Sequence, residues 1–129
     1  MPNLIVPILC NLKTKHSYFI DQQYCLDEYN GLFISSRQQA LNFRHRVSNP
    51  GYCSDWHVAG DPTLIIIRSG ILRIGLRNNN YRDFAAGDVF IAQDKLNNNI
   101  YFEKNIHGHT AQVIGNQQLT ALHLKLSSI

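Results

Sequence analysis

Charge is scarce in this chain. Asp, Glu, Lys and Arg supply only 16% of its 129 residues, against 44% apolar ones. That balance excludes an intrinsically disordered, self-repelling polypeptide. The net charge is +3 with histidine neutral, and the basic residues are dispersed. The exception is Arg44-His45-Arg46, which alternates along a strand pattern. A nucleic-acid-binding face gathers its cations, so nucleic acid is not an expected partner. Cysteine is also sparse: Cys10, Cys25 and Cys53 are far apart and no CxxC occurs. A disulfide framework is excluded, and a reducing, cytoplasmic setting is expected. Cys10 and Cys25 lie in apolar surroundings, where buried inert thiols are the default. The apolar run Leu4–Cys10 has no charged segment before it and is interrupted by Pro7. It fits neither a secretory leader nor a membrane span. It reads instead as a first strand with Pro7 at an edge or bulge.

Helical periodicity is missing too. No stretch of ten or more residues repeats at 3.6; the nearest is Ser35–Ala40, one turn with Ser36 as cap. What the chain does have is short alternating segments separated by turn residues. Leu41, Phe43, His45 and Val47 alternate with Asn42, Arg44 and Arg46 and predict a half-buried strand. Leu72, Ile74 and Leu76 alternate with Arg73, Gly75 and Arg77. Val89–Ala92 is apolar throughout, as in a strand buried on both faces. Ile100–Phe102 predicts a short strand, and Ala111/Val113 and Leu122/Leu124/Leu126 predict two more. Asn30-Gly31, Ser69-Gly70, Asn78-Asn79-Asn80 and Gly115-Asn116 mark turns. The length suits one domain, 1–129, with 1–50 as N-terminal strands and lead-in and 55–126 as core. Many short strands and no helix predict an all-β sandwich or barrel.

Residues 55–126 resemble the cupin superfamily, and within it a group of small single-domain proteins. The likeness rests on Trp56-His57, Ala59, Leu64–Ile67, Ser69-Gly70, Phe84, Ala86-Gly87-Asp88, Asp94 and Gly108-His109, in that order. Upstream, His16-Ser17-Tyr18-Phe19 and Phe43-Arg44 fit as well. The resemblance implies a double-stranded β-helix, or jelly-roll barrel, with a ligand or metal site at its mouth. His57 then matches one histidine of the first cupin motif and His109 that of the second. The other first-motif ligand positions hold Ala59 and Thr63, so the usual donor set is incomplete. The segment between Asp94 and Gly108 is longer than the group's short link.

Four uses of these residues follow. A small-molecule pocket would take His57, His109, Trp56, Gln93 and Asp94, with Tyr52, Tyr101 and Phe102 as stacking surfaces. A divalent metal (Zn, Fe, Ni or Mn) would take His57, His109 and His107, or His45 or His123 as third ligand. Metal-free acid–base chemistry would pair His57 with Asp55 or Asp94. A structural homodimer would add the edge of the strand Leu4–Leu9 to a neighbour's sheet. Asp88 is expected to cap the turn at Gly87, and no catalytic residue is assigned.

Overall fold

A computed structural model describes residues 2–128. Eleven strands follow the chain: β1 Leu4–Cys10, β2 Tyr18–Tyr24, β3 Asp27–Tyr29, β4 Leu32–Ile34, β5 Ala40–Ser48, β6 Thr63–Ser69, β7 Ile71–Gly75, β8 Tyr81–Phe84, β9 Val89–Ala92, β10 Thr110–Ile114 and β11 Leu119–Leu126. They form a six-stranded sheet in the order β2-β1-β9-β6-β11-β5, a three-stranded sheet β10-β7-β8, and the hairpin β3-β4. Among the described residues the only helical element is one 3-10 turn at Arg77–Asn79. Ser35–Gln39 is irregular, so the expected helical turn is absent there; six residues cannot repay the cost of nucleating a helix without packing.

The two larger sheets face each other across one core. Leu9, Ile65, Ile67, Phe90, Ala92, Leu119 and Ala121 come from the large sheet, and Leu72, Ile74, Phe84, Ala111 and Val113 from the small one. The period-2 pattern dictates this, because alternate residues of each strand must share a face. The result is an all-β jelly roll. Its strand ladders do not close into a continuous barrel. Two isolated bridges, Cys53↔Gln112 and His57↔His109, carry the 53–57 segment along the small sheet.

Ser69-Gly70 is a corner rather than a hairpin. β6 pairs with β9 and β11, whereas β7 pairs with β8 and β10. Gly70 passes from one sheet to the other with φ +77°, and a β-carbon there would sit 2.8 Å from the Gln118 carbonyl oxygen. β9 is buried on both faces as expected: Phe90 and Ala92 point into the main core, and Ile91 packs with Val6, Ile8, Cys10 and Leu126 behind the sheet. Asp88 accepts the Ala85 N–H at 2.7 Å and caps its turn.

Four expectations need correction. β1 lies between β2 and β9, so Ile8 and Leu9 offer no edge to a neighbour, while Leu4–Pro7 pair only with β2. Pro7 is accommodated because the ladder to β9 begins only at Ile8. Ile100–Phe102 is not a strand, and Tyr101 is 90% exposed. Cys25 is exposed, while Cys10 is buried. β5 also faces opposite to its pattern: Leu41, Phe43 and Val47 are exposed, and Arg46 and Ser48 are the half-buried residues.

Candidate functional site

The site is built by two histidines from distant parts of the chain. His57 and His109 are bridge partners, exchanging backbone hydrogen bonds of 2.9 Å in both directions. Gly108 makes that approach possible. Its φ is +84°, and a β-carbon there would overlap the His57 carbonyl group, 2.7 Å from the carbon. The rings lie with centroids 4.5 Å apart and planes inclined at 55°. His109 is buried at 4% exposure, whereas His57 is exposed at the rim.

Asp94 stands behind His109 and is fully buried. Its Oδ2 lies 2.7 Å from His109 Nδ1 and accepts the Ser17 hydroxyl at 2.5 Å, while Oδ1 accepts the Ala59 N–H at 3.0 Å. Burial alone would push this carboxyl up. The hydrogen bond and charge of His109, then the bonds from Ser17 and Ala59, outweigh it and hold Asp94 below the usual carboxylate range. A carboxylate only accepts, so His109 Nδ1 carries the proton. The Asp55 carbonyl, 2.8 Å from His57 Nδ1, fixes the same tautomer there. Whenever either ring is neutral, its bare nitrogen is therefore Nε2.

Both rings line a cavity of about 240 Å³ between the sheets. The large sheet contributes Thr63, Ile65, Phe90, Ala92, Arg46 and His123, and the small sheet contributes Leu72, Ile74 and Ala111. Arg46 and His123 reach it from the inward faces of β5 and β11, where Ala121 opposes Arg46 and His123 opposes Arg44. His123 Nε2 is buried without a partner. Burial first, then the charges of Arg46 and Arg44, lowers the His123 pKa.

The remaining sequence candidates lie elsewhere. Gln93 and His107 border a larger concavity, about 880 Å³, under the 95–107 segment. His107 Nδ1 accepts the Glu103 N–H at 2.9 Å, so that nitrogen is taken. The Trp56 ring is covered by the Arg77 guanidinium at 3.6 Å. The Asp55 carboxylate, 92% exposed, lies 3.7 Å from Lys104. The imidazole paired with Asp94 is thus His109 rather than His57. Arg46 was missed as a site residue because its strand presents apolar side chains outward. Its alternation with Phe43 and Val47 was the available signal.

A resident divalent metal does not fit this donor set. His57 and His109 alone fall short of the three or more protein ligands such a site needs; His107 is not brought to them, and His123, though it lines the same cavity, does not cluster with them as a third ligand. Among the described residues no group of three or more His, Cys, Asp or Glu side chains is placed to hold an ion.

No family model and no curated protein matches the sequence. Among solved structures, a conserved protein of unknown function from Streptococcus pyogenes is 15% identical over 70% of this chain and 69% of that one, with a TM-score of 0.44. A cupin 2 conserved barrel domain protein from Salinispora arenicola is 20% identical over 77% and 78%, with a TM-score of 0.43. The capsular polysaccharide assembling protein CapF of Staphylococcus aureus is 13% identical, with a TM-score of 0.43. That match covers 99% of this chain and only 31% of CapF.

The fold is an all-β sandwich of two facing sheets. His57 and His109 meet through a backbone bridge at one end of the sheet sandwich. Among the described residues no helix is long and apolar enough to cross a membrane.

Proposed function

We propose that the chain binds a small molecule in the cavity between its sheets, with the His57 and His109 imidazoles as the polar contacts. The observation that supports this most strongly is the His57–His109 bridge beside an apolar-walled cavity of about 240 Å³. Concave apolar sites with a few fixed polar groups are the usual form of a ligand pocket. Asp94 and Ser17 hold His109 in one tautomer, so its Nε2 is a preoriented acceptor. Thermal-shift screening of small polar compounds tests the reading. Stabilisation by at least one compound, lost in His109→Gln, is the expected outcome. A screen without any hit contradicts it.

The same Asp94–His109 pair supports a second reading, in which the bare Nε2 removes a proton from the bound molecule. A histidine backed by a carboxylate is equipped for that step. Turnover lost in both His109→Gln and Asp94→Asn, with binding retained in the latter, would distinguish it from binding alone.

A homodimer also remains part of the proposal, moved from β1 to β5. β5 is an edge strand with Leu41, Phe43 and Val47 exposed at 55%, 65% and 61%. Half-buried Leu122 and Leu124 continue that apolar surface onto β11, opposite His45 and Phe43. An edge with free backbone groups and an apolar flank favours pairing with a second copy.

A further inference from the structure

We propose that the cavity selects a small organic anion, a monocarboxylate of four to eight non-hydrogen atoms, with Arg46 as the counter-charge and His123 as a second donor. This rests on the cavity being the binding site and adds the chemical class of its ligand.

The polar residues at the cavity wall are Arg46, His57, His109, His123 and Thr63, and among the described residues no acidic side chain lines it. Asp94 is screened from it by the His109 ring and is already committed to three donors. Arg46 is half-buried, and its Nε donates to Ser48 Oγ at 3.1 Å. Its guanidinium carbon lies 5.3 Å from the Tyr52 ring centroid. Neither contact neutralises the charge. The ion pairs among the described residues use Arg73, Arg82, Lys104, His109 and Lys125 and leave Arg46 without a carboxylate. A partly desolvated cation without a counter-ion is costly, and an anion in the cavity removes that cost. Arginine is also the side chain best shaped to hold a carboxylate in a two-pronged contact.

His123 supplies the second observation. Its Nε2 is buried and unpartnered, and the charges facing the ring are the cations Arg46 and Arg44. Such a ring is poor at holding a proton in the empty cavity. A carboxylate beside it reverses the local field, so Nε2 takes a proton and donates it to the ligand. Binding is therefore coupled to proton uptake. The ligand's apolar part meets Ile65, Leu72, Ile74 and Phe90. The volume holds a molecule of roughly four to eight non-hydrogen atoms.

Butyrate, its neutral isostere butyramide and the polyol erythritol are the probes, measured by calorimetry and thermal shift on the full chain. Butyrate is expected to bind at least about tenfold more tightly than butyramide, the scale of a charge-assisted hydrogen bond. Arg46→Gln should lose that preference, and Arg46→Lys should keep most of it. Circular dichroism melting of both variants checks that they fold. Should Arg46→Gln fail to fold, the butyrate-to-butyramide ratio in wild type and in Arg46→Lys decides alone. Equal affinity for butyrate and butyramide, or tighter binding of erythritol, overturns the anion class while leaving the pocket standing. Butyrate binding of equal strength in Arg46→Gln places the anion elsewhere and also overturns it. No binding of any probe overturns both.

Discussion

Gly108 is the residue on which the site geometry turns. It combines a positive φ with backbone contact to His57, so any side chain there both strains the chain and forces the bridge apart. Gly108→Ala is expected to cost roughly 2–5 kcal/mol in denaturant unfolding, the sum of a left-handed penalty and an overpacked contact. A loss below about 0.5 kcal/mol would mean the bridge is not held as described. Asp94 and His123 make separable contributions to pH dependence. The folded pKa of Asp94 is lowered, so its stabilisation is present above the unfolded value of 3.8 and is lost as pH falls through the folded value. His123 is also lowered, by burial and by Arg46 and Arg44, from 6.5. Below pH 6.5 the unfolded chain takes up a proton at this position before the folded one does, so stability falls on acidification. His123→Gln should flatten the slope of stability just below pH 6.5 and leave the steeper loss near Asp94's range in place. Melting temperatures across that range report both.

At the scale of elements, the strands were largely legible because alternation is a local signal. Leu72/Ile74, Ala111/Val113 and the apolar run Val89–Ala92 all sit where their patterns put them. β5 was legible as a strand but not in orientation. The pattern marks the apolar face as buried, yet here the inner face borders a cavity rather than packed core. Arg46 therefore turns inward, and Phe43 is left outside. The 95–107 segment was misread, with a strand expected at Ile100–Phe102, because long-range contacts rather than local alternation hold it. Arg77 Nη2 donates to the carbonyls of Lys104 and His107 at 2.6 and 2.8 Å while its guanidinium covers Trp56. Nothing local in Arg77 announces a partner some thirty residues away. Arg77→Ala should cost about 1–3 kcal/mol through these bonds and the cation–π contact. It should also red-shift the emission of Trp56, the only tryptophan. An unchanged spectrum would show that Arg77 does not cover the indole.

For the molecule as a whole, the sequence allowed the all-β fold to be read and singled out His57 and His109 through the cupin resemblance, but it did not announce how closely Gly108 approaches His57. It did not reveal the partnership of Asp94 with His109 and Ser17, which joins three separate segments of the chain. Two whole-molecule properties follow. Protein prepared without a histidine tag should carry less than about a tenth of an equivalent of divalent metal, and chelation should leave its melting temperature unchanged, since folding is not tied to an ion. Stoichiometric metal would contradict the donor set described. Light scattering should show a dimer that Phe43→Glu converts to monomer; a variant that stays dimeric would move the interface off β5.

The most direct test follows the ring nitrogens of the six histidines by ¹⁵N NMR. The probe is whichever of butyrate, butyramide or erythritol stabilises the protein most. Spectra are taken where the rings are neutral, and there His57 and His109 are expected to show protonated Nδ1 and bare Nε2 in the free protein. On titration their Nε2 signals, with His123, should move together, while exposed His16 and His45 stay still. Signals from His16 and His45 that move as far, or rings of His57 and His109 that do not respond, would contradict a ligand site between the sheets.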